Sequence, residues 1–159
     1  MMTLDRVDIR EFIAQDADEV AALIRRTLLT SNAADYPREE LESLADWYGP
    51  AGLISRLPFA RRLVAAPAAG PDAGRIIGTA ARRENRVEAV FVSPEWQGAG
   101  VGEALMGLLE ADARALAMRV LWLESSLTAV GFYERLGYEA AGGPRDAGDG
   151  LVQPMRKRL

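Results

Sequence analysis

Cysteine and histidine are both missing from this chain of 159 residues. Without cysteine there can be no disulfide, no thiolate zinc site and no cysteinyl acyl-enzyme. Without histidine the commonest neutral-pH base and the commonest metal ligand are gone, and no metal site is expected. Proton transfer must fall to Asp, Glu, Tyr, Lys, water or the backbone. Positive charge is also scarce: 19 Lys and Arg stand against 23 Asp and Glu, a formal net charge of −4. Phosphate binding draws on clustered Lys and Arg, so nucleic acid is not expected as a partner. The short basic end Arg156-Lys157-Arg158 is too small to reverse this and reads as a solvated strand end. No segment approaches the roughly 20 apolar residues needed to span a bilayer. Met1 to Arg6 holds no apolar run of signal-peptide length, so a cytoplasmic protein with no membrane partner is expected. Residues 1–159 suit a single domain around one core. A hydrophobic share of 49% and a charged share of 26% are those of an ordinary globular chain.

Periodicity places the elements. Val7, Ile9 and Phe12 suggest a short first strand. Asp16 and Glu19 have the spacing of a capping box, and Val20, Leu23, Ile24, Thr27 and Leu28 recur at helical intervals, so 17–29 reads as an amphipathic helix. Pro37 fits the first turn of a second helix with Leu41, Leu44, Ala45 and Tyr48 on its apolar face, and Gly49-Pro50 should stop it. Strands are expected at 61–66, 75–82 and 86–92, with Pro67 to Gly74 as an exposed loop and Glu84-Asn85 as a hairpin turn. A glycine-rich loop at 97–102 leads into a helix to about residue 117. Val120 to Leu123 is an apolar run expected of a strand covered on both faces. A helix at 127–136 starts from Ser126 as cap and stops at Gly137. Two last strands, at 138–141 and from 151 to 157, flank a loop at 143–150. The order β-α-α-β-β-β-α-β-α-β-β, with three consecutive strands in the middle, implies a mixed α/β sheet, not a doubly wound one.

The loop Gln97-Gly98-Ala99-Gly100-Val101-Gly102 joins a strand to a helix. Its glycines permit conformations closed to other residues and remove side chains that would block a ligand. The helix behind it presents unpaired N–H groups and the positive end of its dipole, an anion site suited to a diphosphate. A Walker A loop needs Lys and then Ser or Thr where Glu103-Ala104 stand. A dinucleotide fingerprint needs a glycine where Glu103 or Leu105 stands. Gln/Arg-x-x-Gly-x-Gly/Ala is matched in full by Gln97, Gly100 and Gly102.

Val90-Phe91-Val92-Ser93-Pro94-Glu95-Trp96 followed by that loop resembles the strand–loop–helix core of GNAT acetyltransferases. The segment from Ser126 to Tyr138 is similar to the family's Asn/Ser-x-x-Ala-x-x-Phe-Tyr-x-x-x-Gly-Phe/Tyr signature, carried by Ser126, Ala129, Phe132, Tyr133, Gly137 and Tyr138. The resemblance covers nearly the whole chain. It implies the acyl-CoA N-acyltransferase fold, a V-shaped mixed sheet with helices on both faces. It further implies acetyl-CoA as acyl donor and direct transfer to an amine through a tetrahedral intermediate. The acceptor would be a small-molecule amine or an exposed protein amine, and family members often form homodimers. Carried over residue by residue, the diphosphate would lie on the N–H groups of Gly98, Ala99, Gly100, Val101, Gly102 and Glu103, after Gln97 at the first motif position. The pantetheine arm would lie along the backbone of Val90, Phe91 and Val92, with the N–H of Val92 polarising the thioester carbonyl. Ser126 stands where many members carry Asn at the cofactor, and its alternative role is a helix cap. An acyl-CoA sensor without turnover is the rival reading.

For the chemistry, an alkyl amine must first lose a proton, at a cost of about 4.6 kcal/mol at pH 7. Tyr133 matches the family's tyrosine near the cofactor sulfur and is the candidate acid; its alternative is a core aromatic beside Phe132. Glu88 is the candidate base, with Glu124 and water behind it, and strand period groups Glu88 with Val90 and Val92, opposite Val87, Ala89 and Phe91. Tyr36, Trp47 and Tyr48 belong either to the acceptor pocket or to the core. Asp35, Glu39, Glu40, Glu42 and Asp46 could attract a cationic amine or simply form a solvated helix face.

Overall fold

A computed structural model describes residues 6–148 and 150–159. The elements in chain order are β1 (Val7–Glu11), α1 (Ala17–Ser31), α2 (Arg38–Trp47), α3 (Pro50–Ser55), β2 (Arg61–Pro67), β3 (Gly78–Arg83), β4 (Arg86–Val92), α4 (Val101–Ala115), β5 (Val120–Ser126), α5 (Val130–Arg135), β6 (Glu139–Ala140), β7 (Arg145–Asp146) and β8 (Leu151–Arg158). The strands form one sheet in the order β1-β2-β3-β4-β5-β8-β6, with β7 also on β8. Among the described residues, only β4 and β5 run parallel. The mixed α/β class expected from the sequence is the one observed.

Strand alternation divides the core in two. Leu63 and Ala65 of β2 join Val87, Leu105, Leu109, Leu121 and Leu123 under α4. Val64, between them, joins Val20, Ile24, Leu28, Leu41 and Leu53 under α1, α2 and α3. Each fully buried Leu or Ile contributes roughly 1.5–3 kcal/mol, so helices are held on both faces.

Five local expectations are corrected. The Asp16–Glu19 capping box is not made, because Asp16 already lies in a helical turn and other partners claim both carboxylates. Asp16 accepts from the Ile13 N–H at 3.0 Å and pairs with both terminal nitrogens of Arg10 at 2.7 and 2.8 Å, while Glu19 accepts from the Ile76 N–H at 2.8 Å. Pro50 does not only end the second helix; it opens α3, where its missing N–H costs nothing. The strand expected from residue 75 begins at Gly78, and the loop at 143–150 holds the short β7.

The last correction shapes the site. Thr79 pairs with Phe91 but Ala81 pairs with Glu88, so two steps along β3 match three along β4. Ala89, with φ of +48°, sits in this bulge. Glu88 therefore shares a face with Phe91, opposite Val87 and Val92, and the simple alternation expected for this strand fails. An alanine at positive φ leaves no sequence signal. A bulge bends and twists its strand. Here β4 registers with β5 only at Arg86 and Trp122, where the Trp122 N–H donates to Asn85 C=O at 3.0 Å. Beyond that pair the two strands diverge into the expected V.

Candidate active site

At the open end of the V, the chain leaves β4 through a 3₁₀ turn, Pro94–Trp96, pinned by the buried Trp96 ring. Gly98 and Gly100 follow with φ of +78° and +92°, and a Cβ on either would meet no atom within 4 Å. Backbone conformation demands glycine at these two positions, and the loop's outer face is bare. Gly102 is glycine for another reason. Its φ is ordinary, but a Cβ there would come within 3.0 Å of the Phe132 ring. The first helical bond of α4 runs from the Ala104 N–H to Gly100 C=O at 3.0 Å. The N–H groups of Gly100, Val101, Gly102 and Glu103 thus precede the helical ladder at the positive end of the helix. The Ala99 N–H is already committed to Trp96 C=O at 3.3 Å. Gln97 braces the loop from its side: its Nε2 donates to Ser31 Oγ at 2.9 Å and to Val92 C=O at 3.0 Å. Free amides, a bare surface and a helix start fit the diphosphate of a nucleotide cofactor.

Inside the V, the Ser93 N–H donates to Ile77 C=O at 2.8 Å, toward the β3 side. Successive main-chain groups along a strand point to opposite sides, so those of Val92 face the space left by β5. Val90 and Val92 pack against the α4 core, and Phe91 packs against the other. Tyr133 of α5 lies beside this space, its ring edge-on to Phe132 at 5.0 Å and to Tyr138 at 5.8 Å. Burial, with a smaller contribution from Tyr48, pushes the Tyr133 phenol well above its ordinary range, so it stays protonated and can donate. Ser126 is a cap: its Oγ accepts from the Ala129 N–H at 3.2 Å.

The two carboxylates differ in their surroundings. Glu124 is clamped between Arg145 and Arg86, the latter at 3.5 Å. Glu88 has Arg83 Nε at 3.1 Å, too poorly aligned for a hydrogen bond to its shielded Oε1. Glu88 is thus the less neutralised of the two. Tyr48 lies edge-on to Phe91 at 5.7 Å, on the Glu88 face of β4. Burial raises its phenol pKa; Arg62, Glu88, Arg56 and Arg86 all lie within electrostatic reach of it. Trp47 is 62% exposed and stacks on Arg56 at 4.3 Å. Tyr36 ties the α1–α2 loop across the V, donating to Leu151 C=O at 2.6 Å and accepting from the Leu127 N–H at 2.8 Å. Asp35 accepts from Thr128 Oγ1 at 2.6 Å, while Glu42 and Asp46 form exposed pairs with Arg38 and Arg25. The arginines around Tyr48 were not legible in the sequence, since only strand register and the fold of α2 and α3 gather them.

A family model described as an acetyltransferase (GNAT) domain matches residues 32–159. The chain belongs to the GNAT acetyltransferase family. This GNAT acyltransferase is 29% identical over 147 residues to glucosamine 6-phosphate N-acetyltransferase of Trypanosoma brucei brucei, covering 86% of this chain and 92% of the relative. A GCN5-related N-acetyltransferase structure from Rhodopseudomonas palustris superposes with a TM-score of 0.86 at 24% identity, over 100% of this chain and 99% of that one. The PaiA N-acetyltransferase of Thermoplasma acidophilum, solved in complex with coenzyme A, gives a TM-score of 0.78 at 20% identity over 97% and 99% of the two chains. These structures share the fold of the GNAT chain described here, and the family match covers both the glycine loop and Tyr133.

Proposed function

We propose that the chain is an acetyl-CoA-dependent N-acetyltransferase that acetylates a small-molecule or exposed protein amine by direct transfer. One observation carries this reading: bare amides open α4 directly after β4, the strand whose main chain is left free of β5 beyond the Arg86–Trp122 pair. When bound, acetyl-CoA supplies an acyl group activated as a thioester. The amides of Gly100, Val101, Gly102 and Glu103, with Gly98, hold the diphosphate, and Gln97 keeps the loop in place. The main chain of Val90, Phe91 and Val92 aligns the pantetheine arm, and the Val92 N–H donates to the thioester oxygen. Glu88 takes the proton of the acceptor amine, directly or through water. The Tyr133 hydroxyl would give its proton to the departing sulfur and regain one from the second proton that the acylated nitrogen releases, while Glu88 keeps the first. The name of the trypanosomal relative includes an amino sugar phosphate, which supports small-molecule amines as acceptors.

Calorimetry with CoA and release of free thiol from acetyl-CoA with a panel of amines test the proposal. Saturable CoA binding and amine-dependent thiol release are expected. CoA binding without release for any amine would make the chain a sensor, and no binding would remove the glycine loop from the site.

A further inference from the structure

Among the described residues four charged side chains are buried: Asp16, Arg62, Arg82 and Glu110. Three have an opposite charge in contact. Asp16 has Arg10 at 2.7 Å, Arg82 has Asp112 at 2.6 Å, and Glu110 has Lys157 at 2.9 Å. Arg62 is the exception. It is 8% exposed, and its hydrogen bond is to Thr79 Oγ1 at 3.2 Å. No carboxylate among the described residues forms an ion pair with it within 4.0 Å. Tyr48 cannot serve as its counter-ion, because burial raises that phenol and keeps it neutral. A buried guanidinium with no anion is costly, and folds retain one where something else repays it.

Its position says what that could be. Arg62 pairs across the sheet with Ala81, and Ala81 with Glu88. Directly paired residues share a face, so Arg62 and Glu88 stand in one row with only the methyl group of Ala81 between them. Two strand spacings separate their backbones by roughly 10 Å. The two side chains nonetheless do not pair with each other. Glu88 is approached by Arg83 and Arg62 by Thr79. Arg56 and Arg86 add two more positive charges around Tyr48, in a chain of formal net charge −4. The sheet face that carries the candidate base is therefore dipolar, negative at Glu88 and positive at Arg62.

We infer that the acceptor carries an anionic group as well as its amine, with Glu88 receiving the amine and Arg62 the anion. This rests on the acetyltransferase reading above and narrows its substrate class. A phosphate or a carboxylate would meet the same guanidinium, and bare polyamines would be poor acceptors because they place a second cation against Arg62.

Two matched pairs of acceptors, assayed by thiol release with the full chain, test the inference and identify the anion. Glucosamine against glucosamine 6-phosphate reports on phosphate; cadaverine against 6-aminohexanoate reports on carboxylate. In at least one pair the anionic member should have the higher kcat/KM, by about tenfold to a hundredfold, as expected for a charge-assisted contact. Arg62→Gln should collapse that ratio through KM of the anionic member, and Arg62→Lys should restore part of it. The Tm of Arg62→Gln should hold or rise, since an unpaired buried charge has been removed. Equal kcat/KM within both pairs would overturn the inference while leaving the acetyltransferase intact. So would an Arg62→Gln variant with a lowered Tm and an unchanged ratio. No thiol release with any amine would overturn the enzymatic reading itself, and this inference with it.

Discussion

The Phe132 ring lies so close to Gly102 that a methyl group on the glycine would come within 3.0 Å of it. The first turn of the helix behind the glycine loop is thereby locked to the helix that carries Tyr133. Overpacking of this kind costs about 1–3 kcal/mol, so Gly102→Ala should lower Tm. It should also weaken turnover by displacing Tyr133 from the loop. Gly107, in the middle of α4 with nothing near its missing Cβ, is the control. Gly107→Ala should raise stability by about 0.8–1 kcal/mol from helix propensity alone. Thermal denaturation of the two variants in parallel checks the pair, and a Gly102→Ala protein as stable as the parent would separate the two helices.

Gly100 has a φ of +92° and open space where its side chain would be. Gly100→Glu puts a carboxylate where the diphosphate is expected, and CoA affinity should fall by more than tenfold while the protein still folds. The effect of an uncharged side chain, with little backbone strain, is isolated by Gly100→Asn, since Asn tolerates this conformation. The Asn variant should retain much more of the affinity. Titration calorimetry separates them, and equal losses would mean that the bulk of a side chain, not its charge, is responsible.

Asp16 sits well below the ordinary carboxylate range, chiefly through its hydrogen bonds to Arg10. A carboxylate with a lowered folded-state pKa stabilises the fold above its unfolded value, near 3.9, and that contribution is lost as pH falls through the folded value. Denaturation midpoints should therefore decline below about pH 4. Asp16→Asn should be less stable than the parent at pH 7, and the gap between them should narrow as the pH drops toward 2. A gap that stays constant with pH would mean that the Arg10 pairing contributes nothing.

Much of the fold was legible because hydrophobic period and glycine placement are local signals. Val20, Leu23, Ile24, Thr27 and Leu28 announce α1, and all five are buried as their spacing requires. Gly98 and Gly100 announce a backbone that other residues resist. What escaped was non-local. Asp16 and Glu19 have the spacing of a capping box, yet Arg10 and the Ile76 N–H outcompete the helix for them. The bulge at Ala89 carries no compositional mark, although it decides which face Glu88 occupies. Arg62 becomes notable only once register places it in a row with Glu88 and burial deprives it of an anion.

Tyr133→Phe removes one oxygen from a packed aromatic cluster and leaves its shape alone. The Tyr133 phenol is perturbed by burial and by charge, not by a hydrogen bond, so the fold should lose little. If the hydroxyl protonates the departing sulfur, kcat should fall tenfold or more, within the range of general acid catalysis, while CoA affinity stays within a factor of about two. Unchanged kcat would return Tyr133 to a purely packing role.

The choice of base follows from how strongly each carboxylate is held. Glu124 lies between two guanidinium groups, Arg86 at 3.5 Å and Arg145, and both hold its carboxylate in place. Glu88 has one guanidinium in contact, badly aligned, and it faces the Tyr48 side of the cleft. Glu88→Gln should therefore reduce kcat/KM at pH 7 by about 100-fold or more, with partial recovery at high pH, where the amine loses its proton unaided. Glu124→Gln frees Arg86 and Arg145, so it should act mainly on KM and flatten nothing in the pH profile. Full pH–rate profiles of both variants decide the matter. Recovery at high pH in Glu124→Gln, with Glu88→Gln unaffected, would move the base to β5.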